Sequence, residues 1–263
     1  MEKLLDEIES YWSTRTEGYS EVNHKELAGT QKNAWLKVLT SQFPDKPKEE
    51  IRILDIGTGP GFFPVILAEA GYHVDAVDYT EGMLEKAKEN AGELCRNIRF
   101  QRMDAQKLEF ADNTFDVVIS RNLTWNLEYP EQALEEWERV LAPGGRMIYF
   151  DANWYLYLYD EELRARKKAA EAAFRAKYPV HNYAGNMSKA RVLELEQTAY
   201  ALPLSKEKRP EWDKKVLEKL GMRMVEVIED IGPGVQDPLD WERDSLNHTF
   251  MICAEKPVTA DQG

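Results

Sequence analysis

Residues 51–61, Ile-Arg-Ile-Leu-Asp-Ile-Gly-Thr-Gly-Pro-Gly, place an acid at Asp55 at the end of an apolar strand and then glycines at 57, 59 and 61. Glycine admits positive φ and lets backbone come close to a ligand. The helix expected from about Phe62 to Ala70 aims its free N-terminal N–H groups at the same turn. Such a turn suits a nucleoside-bearing cofactor. The next apolar strand, His73–Val77, ends in Asp78, whose carboxylate can accept both hydrogen bonds of a ribose diol.

Spacing separates the cofactors. A dinucleotide fingerprint G-x-G-x-x-G counted from Gly57 needs its third glycine at 62, and that residue is Phe62. A nicotinamide dehydrogenase is therefore disfavoured. The frame is Asp55-x-Gly57-x-Gly59-x-Gly61, and with it the chain resembles the class I S-adenosylmethionine-dependent methyltransferases, specifically the methyltransferase type 11 group of small-molecule enzymes.

Further segments carry the resemblance in order, and the roles that follow are what it implies. Asp78 would hold the ribose of S-adenosylmethionine, with Tyr79 and Met83 against the adenine, although a helical Met is more often core filler. Asp104 and Ala105, after the strand Ile98–Met103, would recognise the adenine amino group; a turn-forming Asp is the competing use. The strand 114–120 leads into Arg121-Asn122-Leu-Thr-Trp125, the loop that would face the methyl donor. It lacks the Asn-Pro-Pro-Tyr or Asp-Pro-Pro-Tyr signature of enzymes acting on exocyclic or amide nitrogens. Residues 141–147, Leu-Ala-Pro-Gly-Gly-Arg-Met, match a later structural motif of the family.

The N-terminal stretch Tyr11-Trp12-Ser-Thr-Arg15-Thr-Glu-Gly-Tyr19 is similar to a segment that closes over the methionine half of the donor in small-molecule members. Aromatic faces attract a sulfonium and Arg15 could pair with the amino-acid carboxylate, while simple packing on the sheet is the plainer alternative. On the acceptor side stand Trp125, Trp154, Tyr155 and Tyr183, each equally suited to packing the covering segment, as are Tyr157 and Tyr159. His181 and His24 are the candidate general bases, a lone histidine usually having another role.

The elements that must position these groups follow the same order. Strands and helices alternate from residue 51 to 151, the βαβ pattern of a doubly wound parallel sheet. In the helix 131–141, Ala133, Leu134, Trp137, Val140 and Leu141 share one face before Pro143-Gly144-Gly145. The expectation is a Rossmann-like seven-stranded α/β fold in one domain spanning 1–263, its core at about 30–151 and 216–256. A helical cover occupies 1–29, with breaks near Gly18 and Gly29, and a helical lid is inserted between strands 5 and 6 over 152–215. The last two strands, near 222–229 and 249–254, are expected to pair antiparallel.

Composition narrows the function. Of 263 residues, 34 are basic and 47 acidic, a net charge of −13 that repels phosphate backbones and favours a small-molecule acceptor over nucleic acid. Residues 160–215 run against this trend, with thirteen Lys and Arg against nine Asp and Glu. Two cysteines, Cys95 and Cys253, form neither a disulfide framework nor a metal-ligand spacing, and no run of about 18 apolar residues occurs. A cytoplasmic enzyme without metal fits. The resemblance implies methyl transfer by in-line displacement, leaving S-adenosylhomocysteine; a non-catalytic module sensing either molecule is the alternative.

Overall fold

In the computed structural model, which describes residues 2–179 and 189–258, seven strands join one sheet in the order β3-β2-β1-β4-β5-β7-β6. Strands β1 (Ile53–Ile56), β2 (Val74–Asp78), β3 (Ile98–Arg102), β4 (Phe115–Arg121) and β5 (Leu141–Asp151) run parallel. The strand β7 (Phe250–Glu255) is antiparallel to both β5 and β6 (Arg223–Ile228), as the sequence leads one to expect. The chain leaves β1 toward β2 on one side and resumes at β4 on the other. Strand order thus reverses between β1 and β4, opening a crevice at their C-terminal ends.

Period-two alternation splits the buried residues between two faces. Leu54, Ile56, Val118, Met147, Tyr149 and Ile252 pack on one side, where Trp137 of α6 (Pro130–Val140) and Leu217 of α9 (Glu211–Lys219) cover them. Ile53, Val117, Ile119, Ile148, Phe150 and Met251 pack on the other, against α3 (Gln31–Ser41) and α4 (Phe62–Glu69). Helix α4 is buried from Phe62 to Ala68, which explains why it is apolar all round. Helix α5 (Glu81–Ala91) links β2 to β3.

The N-terminal cover is α1 (Glu2–Ser13) and α2 (Thr16–Ala28). Its break lies at Thr14–Arg15, while Gly18, expected to break the helix, sits inside α2. The Thr14 and Arg15 amides bond back to Tyr11 and Trp12 carbonyls and end the first helix there; a single glycine costs a helix only about 1 kcal/mol and does not interrupt it. After β5 come α7 (Glu161–Lys177) and α8 (Lys189–Ala201). The boundary expected at 215–216 falls inside α9, whose Val216 and Leu217 belong to the sheet's own core. The Gly- and Pro-rich link between β6 and β7 forms two short helices, α10 (Gly232–Val235) and α11 (Pro238–Arg243). Among the described residues no helix is long and apolar enough to cross a membrane.

Candidate active site

The glycine turn is built by the sheet itself. Gly57 and Thr58 amides both donate to the Val77 carbonyl, at 2.8 and 3.0 Å, fastening the turn to the neighbouring strand. The three glycines, all at positive φ, serve different ends. A Cβ on Gly57 would strike Leu123 at 2.7 Å and one on Gly61 would press on Ala87 of α5 at 3.0 Å, so both are required for packing. Gly59 faces open space, with only the Tyr19 ring near, 3.7 Å from where a Cβ would stand.

Asp78 couples this turn to the end of β2. One carboxylate oxygen accepts from the Gly59 N–H at 2.8 Å and the other from the Thr80 N–H at 2.8 Å. Each oxygen keeps a lone pair for a ligand. Burial raises the Asp78 pKa above the usual carboxylate value against the pull of these bonds. Asp55, at 2% exposure, is pushed up to about 7 by burial; the neighbouring Thr58 hydroxyl and Arg121 oppose the shift and Asp78 adds to it.

These groups open onto a cleft of about 1020 Å³, counted to its solvent-exposed mouth. Among the described residues its wall carries five carboxyl groups, on Glu9, which is paired with Arg102, and on Asp55, Asp78, Asp104 and Glu128, against one cation, Arg121. Arg121 is already matched by Glu26, to which it donates two parallel bonds at 3.0 and 2.8 Å, and its guanidinium lies 4.5 Å from the Phe62 ring centre. Burial lowers the Arg121 pKa, but the Glu26 carboxylate more than offsets this and holds it above its ordinary value. A wall of this charge suits a cationic ligand. It offers no free cation to a pyrophosphate, and the third-glycine position of a dinucleotide site is filled by the buried Phe62 ring.

Of the residues singled out in the sequence, Tyr19, Asp55, Gly57, Gly59, Asp78, Tyr79, Met83, Asp104, Ala105, Arg121 and Asn122 line this cleft. Asp104 accepts from the Gln106 amide at 2.9 Å, and Trp137 donates to the Ala105 carbonyl at 2.9 Å, fixing that corner. Gly61, Tyr11 and Arg15 are off the wall. Tyr11 lies edge-on to Trp12, ring centres 5.3 Å apart, and it is Trp12 that reaches the cleft. The cation that arrives is Arg121 in place of Arg15.

Trp125, Trp154 and Tyr155 are also off the wall. They join Ile8, Trp12 and Leu202 in an apolar cluster that ties α1 to the segment after β5 and meets the cleft wall at Ile8 and Trp12. Burial raises the Tyr155 hydroxyl pKa far above its ordinary value. His24 is exposed on α2, and His181 and Tyr183 lie outside the described residues. Among the described residues no cluster of His, Cys, Asp or Glu could hold a metal ion. The sequence reading missed Asn23, Asn126 and Leu127 as wall residues, while Leu123 lies in the loop expected there. Asn23 carried a signal, a polar residue four positions after Tyr19 on the same helical face.

Residues 54–149, from β1 through most of β5, match a methyltransferase domain family. Over those residues the chain is similar to that family, and its seven-stranded sheet has the class I methyltransferase fold. It is similar to a demethylmenaquinone methyltransferase of Paenarthrobacter aurescens (strain TC1), 35% identical over 149 residues that make up 56% of each chain. A ubiquinone/menaquinone biosynthesis C-methyltransferase UbiE of Desulfotalea psychrophila is 31% identical over 156 residues, 58% of each. The chain spans about half the length of the curated relatives it matches. In fold it is similar to a SAM dependent methyltransferase from Aquifex aeolicus, with TM-score 0.52 and 22% identity over 84% of this chain and 88% of that one. A Haemonchus contortus phosphoethanolamine N-methyltransferase 2, solved with S-adenosyl-L-methionine, aligns with TM-score 0.58 and 21% identity over 86% of this chain and 53% of that one.

Proposed function

We propose that this protein transfers a methyl group from S-adenosylmethionine to a small-molecule acceptor in the cytoplasm. The observation that carries the reading is the acidic cleft at the strand reversal, where Asp78 grips the glycine turn and keeps lone pairs turned to the lumen. The cleft's donor set fits S-adenosylmethionine. Asp78 would hold the ribose hydroxyls; Tyr79, Met83, Asp104 and Ala105 would frame the adenine. Trp12, Tyr19, Arg121 and Asn122 would surround the amino-acid end. Names of the relatives and the free cysteines Cys95 and Cys253 support the acceptor class and the compartment.

Bound there, S-adenosylmethionine supplies a methyl group on a sulfonium, a leaving group that needs no acid from the protein. The chain's own contribution is alignment and exclusion of water. Aromatic rings of Trp12 and Tyr19 and the carboxylates of Asp78, Asp104 and Glu128 favour positive charge in the lumen, and α1 lines it with Leu5, Ile8, Glu9 and Trp12. There Glu9 of α1 accepts from Arg102 at 2.7 Å, while Arg102 donates to the Tyr79 carbonyl at 2.8 Å.

The test pairs binding with transfer. Calorimetry should show S-adenosylhomocysteine bound by the wild type and not by Gly59→Arg, whose side chain would run into the lumen beside Tyr19. Radiolabel from S-adenosylmethionine should enter the small-molecule fraction of a cell extract. Unchanged affinity in Gly59→Arg would sink the site; binding with no label in any fraction would speak for a sensor.

A further inference from the structure

A buried charged cluster that does not line the cleft bonds to the loop after β4. Arg209, just ahead of α9, is buried with Asp151 at the end of β5 and Asp213 in α9. Its Nη1 donates to Asp151 Oδ2 at 2.9 Å and its Nε to Asp213 Oδ2 at 2.9 Å. Its Nη2 donates to Thr124 Oγ1 at 2.7 Å and also to Asp213 Oδ1. The Thr124 hydroxyl in turn donates to Asp151, whose same oxygen accepts the Trp125 amide at 2.8 Å. The Trp154 indole donates to the other Asp151 oxygen at 2.8 Å, and Tyr149 closes the set with a bond of 2.9 Å to Asp213.

Loop residues 122–127 divide between two sides. Asn122, Leu123, Asn126 and Leu127 line the cleft, and Thr124 and Trp125 are gripped from behind by this network. Leu123 stands against Gly57 with no room for a Cβ between them, so any shift of the loop is felt by the glycine turn. Arg209 also lies at the neck of the segment that follows β5. The Asn153 amide donates to the Arg209 carbonyl at 2.8 Å, and the Arg209 N–H donates back to Asn153 Oδ1 at 3.0 Å. A buried ion triad is usually no more stabilising than apolar residues of the same volume, whereas it can fix a unique arrangement.

We propose that Arg209 is a positioning residue: it sets loop 122–127 against the glycine turn and thereby joins the inserted segment to the cleft. Its effect on ligand affinity rests on the cleft being the donor site. The test measures S-adenosylhomocysteine affinity, melting temperature and the Trp125 and Trp154 indole N–H resonances in wild type, Arg209→Lys, Thr124→Val and Asp116→Asn. Asp116, equally buried at the opposite end of β4, serves as the control for lost stability alone.

Arg209→Lys should weaken affinity by about tenfold and move both indole signals. Thr124→Val spares the ion pairs and should weaken affinity by about threefold at near wild-type melting temperature. Asp116→Asn should lower the melting temperature and leave affinity and both indoles unchanged. Unmoved indoles and affinity in Arg209→Lys and Thr124→Val would overturn the proposal. If Arg209→Lys does not fold, Thr124→Val decides. A wild type that fails to bind S-adenosylhomocysteine overturns the donor reading, and the indole shifts still judge the positioning role.

Discussion

The start of β4 and the ends of β1 and β2 treat buried carboxylates in opposite ways. Where the strands begin, Asp116 accepts from Lys46 at 2.7 Å and from Arg52 through its N–H at 3.0 Å and Nε at 3.2 Å. Burial alone would raise its pKa, yet these partners hold it below the usual carboxylate range. Where the strands finish, Asp55 and Asp78 have no cation within ion-pair distance among the described residues, and both are raised, Asp55 to about 7. The Asp116 cluster is arranged for stability. The ends of β1 and β2 leave charge uncompensated at a place where a ligand can satisfy it, which is the usual mark of a functional site.

The largest effect that sharpens this contrast is expected at Asp55. The folded protein holds a proton there that the unfolded chain releases from about pH 4 upward. Wild type therefore loses stability as pH rises toward 7 and bears the whole penalty above it. Asp55→Asn carries no such penalty, so its gain in melting temperature should be greatest near pH 8 and vanish near pH 4, with a ceiling of about 4 kcal/mol. A gain independent of pH would break the comparison.

Asp78→Ala should cost about 1.5–3 kcal/mol of S-adenosylhomocysteine affinity, roughly ten- to a hundredfold. An unchanged dissociation constant would mean that Asp78 only clamps the turn. The smallest effect belongs to the opposite end. Asp116→Asn should lose about 1–2 kcal/mol of folding stability at neutral pH. Because the Asp116 pKa is depressed, its contribution is present above the unfolded carboxylate pKa and lost as pH falls through the folded value, so denaturation curves of variant and wild type should converge in acid.

Strands β1 to β5 and the turn and acid that line the cleft at their ends were legible in the sequence because they rest on local rules. Alternating apolar residues mark each strand, and Gly57, Gly59 and Asp78 act through backbone geometry at the strand ends. What escaped rests on contacts between distant segments. Trp125, Trp154 and Tyr155 read as acceptor contacts by residue type, but which side of a loop a ring faces depends on α1, and the ring contacts with Ile8 and Trp12 have no sequence signature. Arg209 was hidden among the surface-like charges of a basic stretch. Its burial depends on Asp151 and Thr124 arriving from two distant segments to join Asp213, four residues further on. Gly18 misled for the opposite reason, since a lone glycine with open space around it leaves a helix intact.

The reciprocal bonds between Asn153 and Arg209 have a consequence for how such a fold can diversify. They bring the two ends of a 56-residue separation side by side on the sheet's rim. The intervening chain therefore leaves and rejoins the rest of the fold at one point, and a change in its length between those two anchors can be absorbed without altering the register of β5 on β4 and β7.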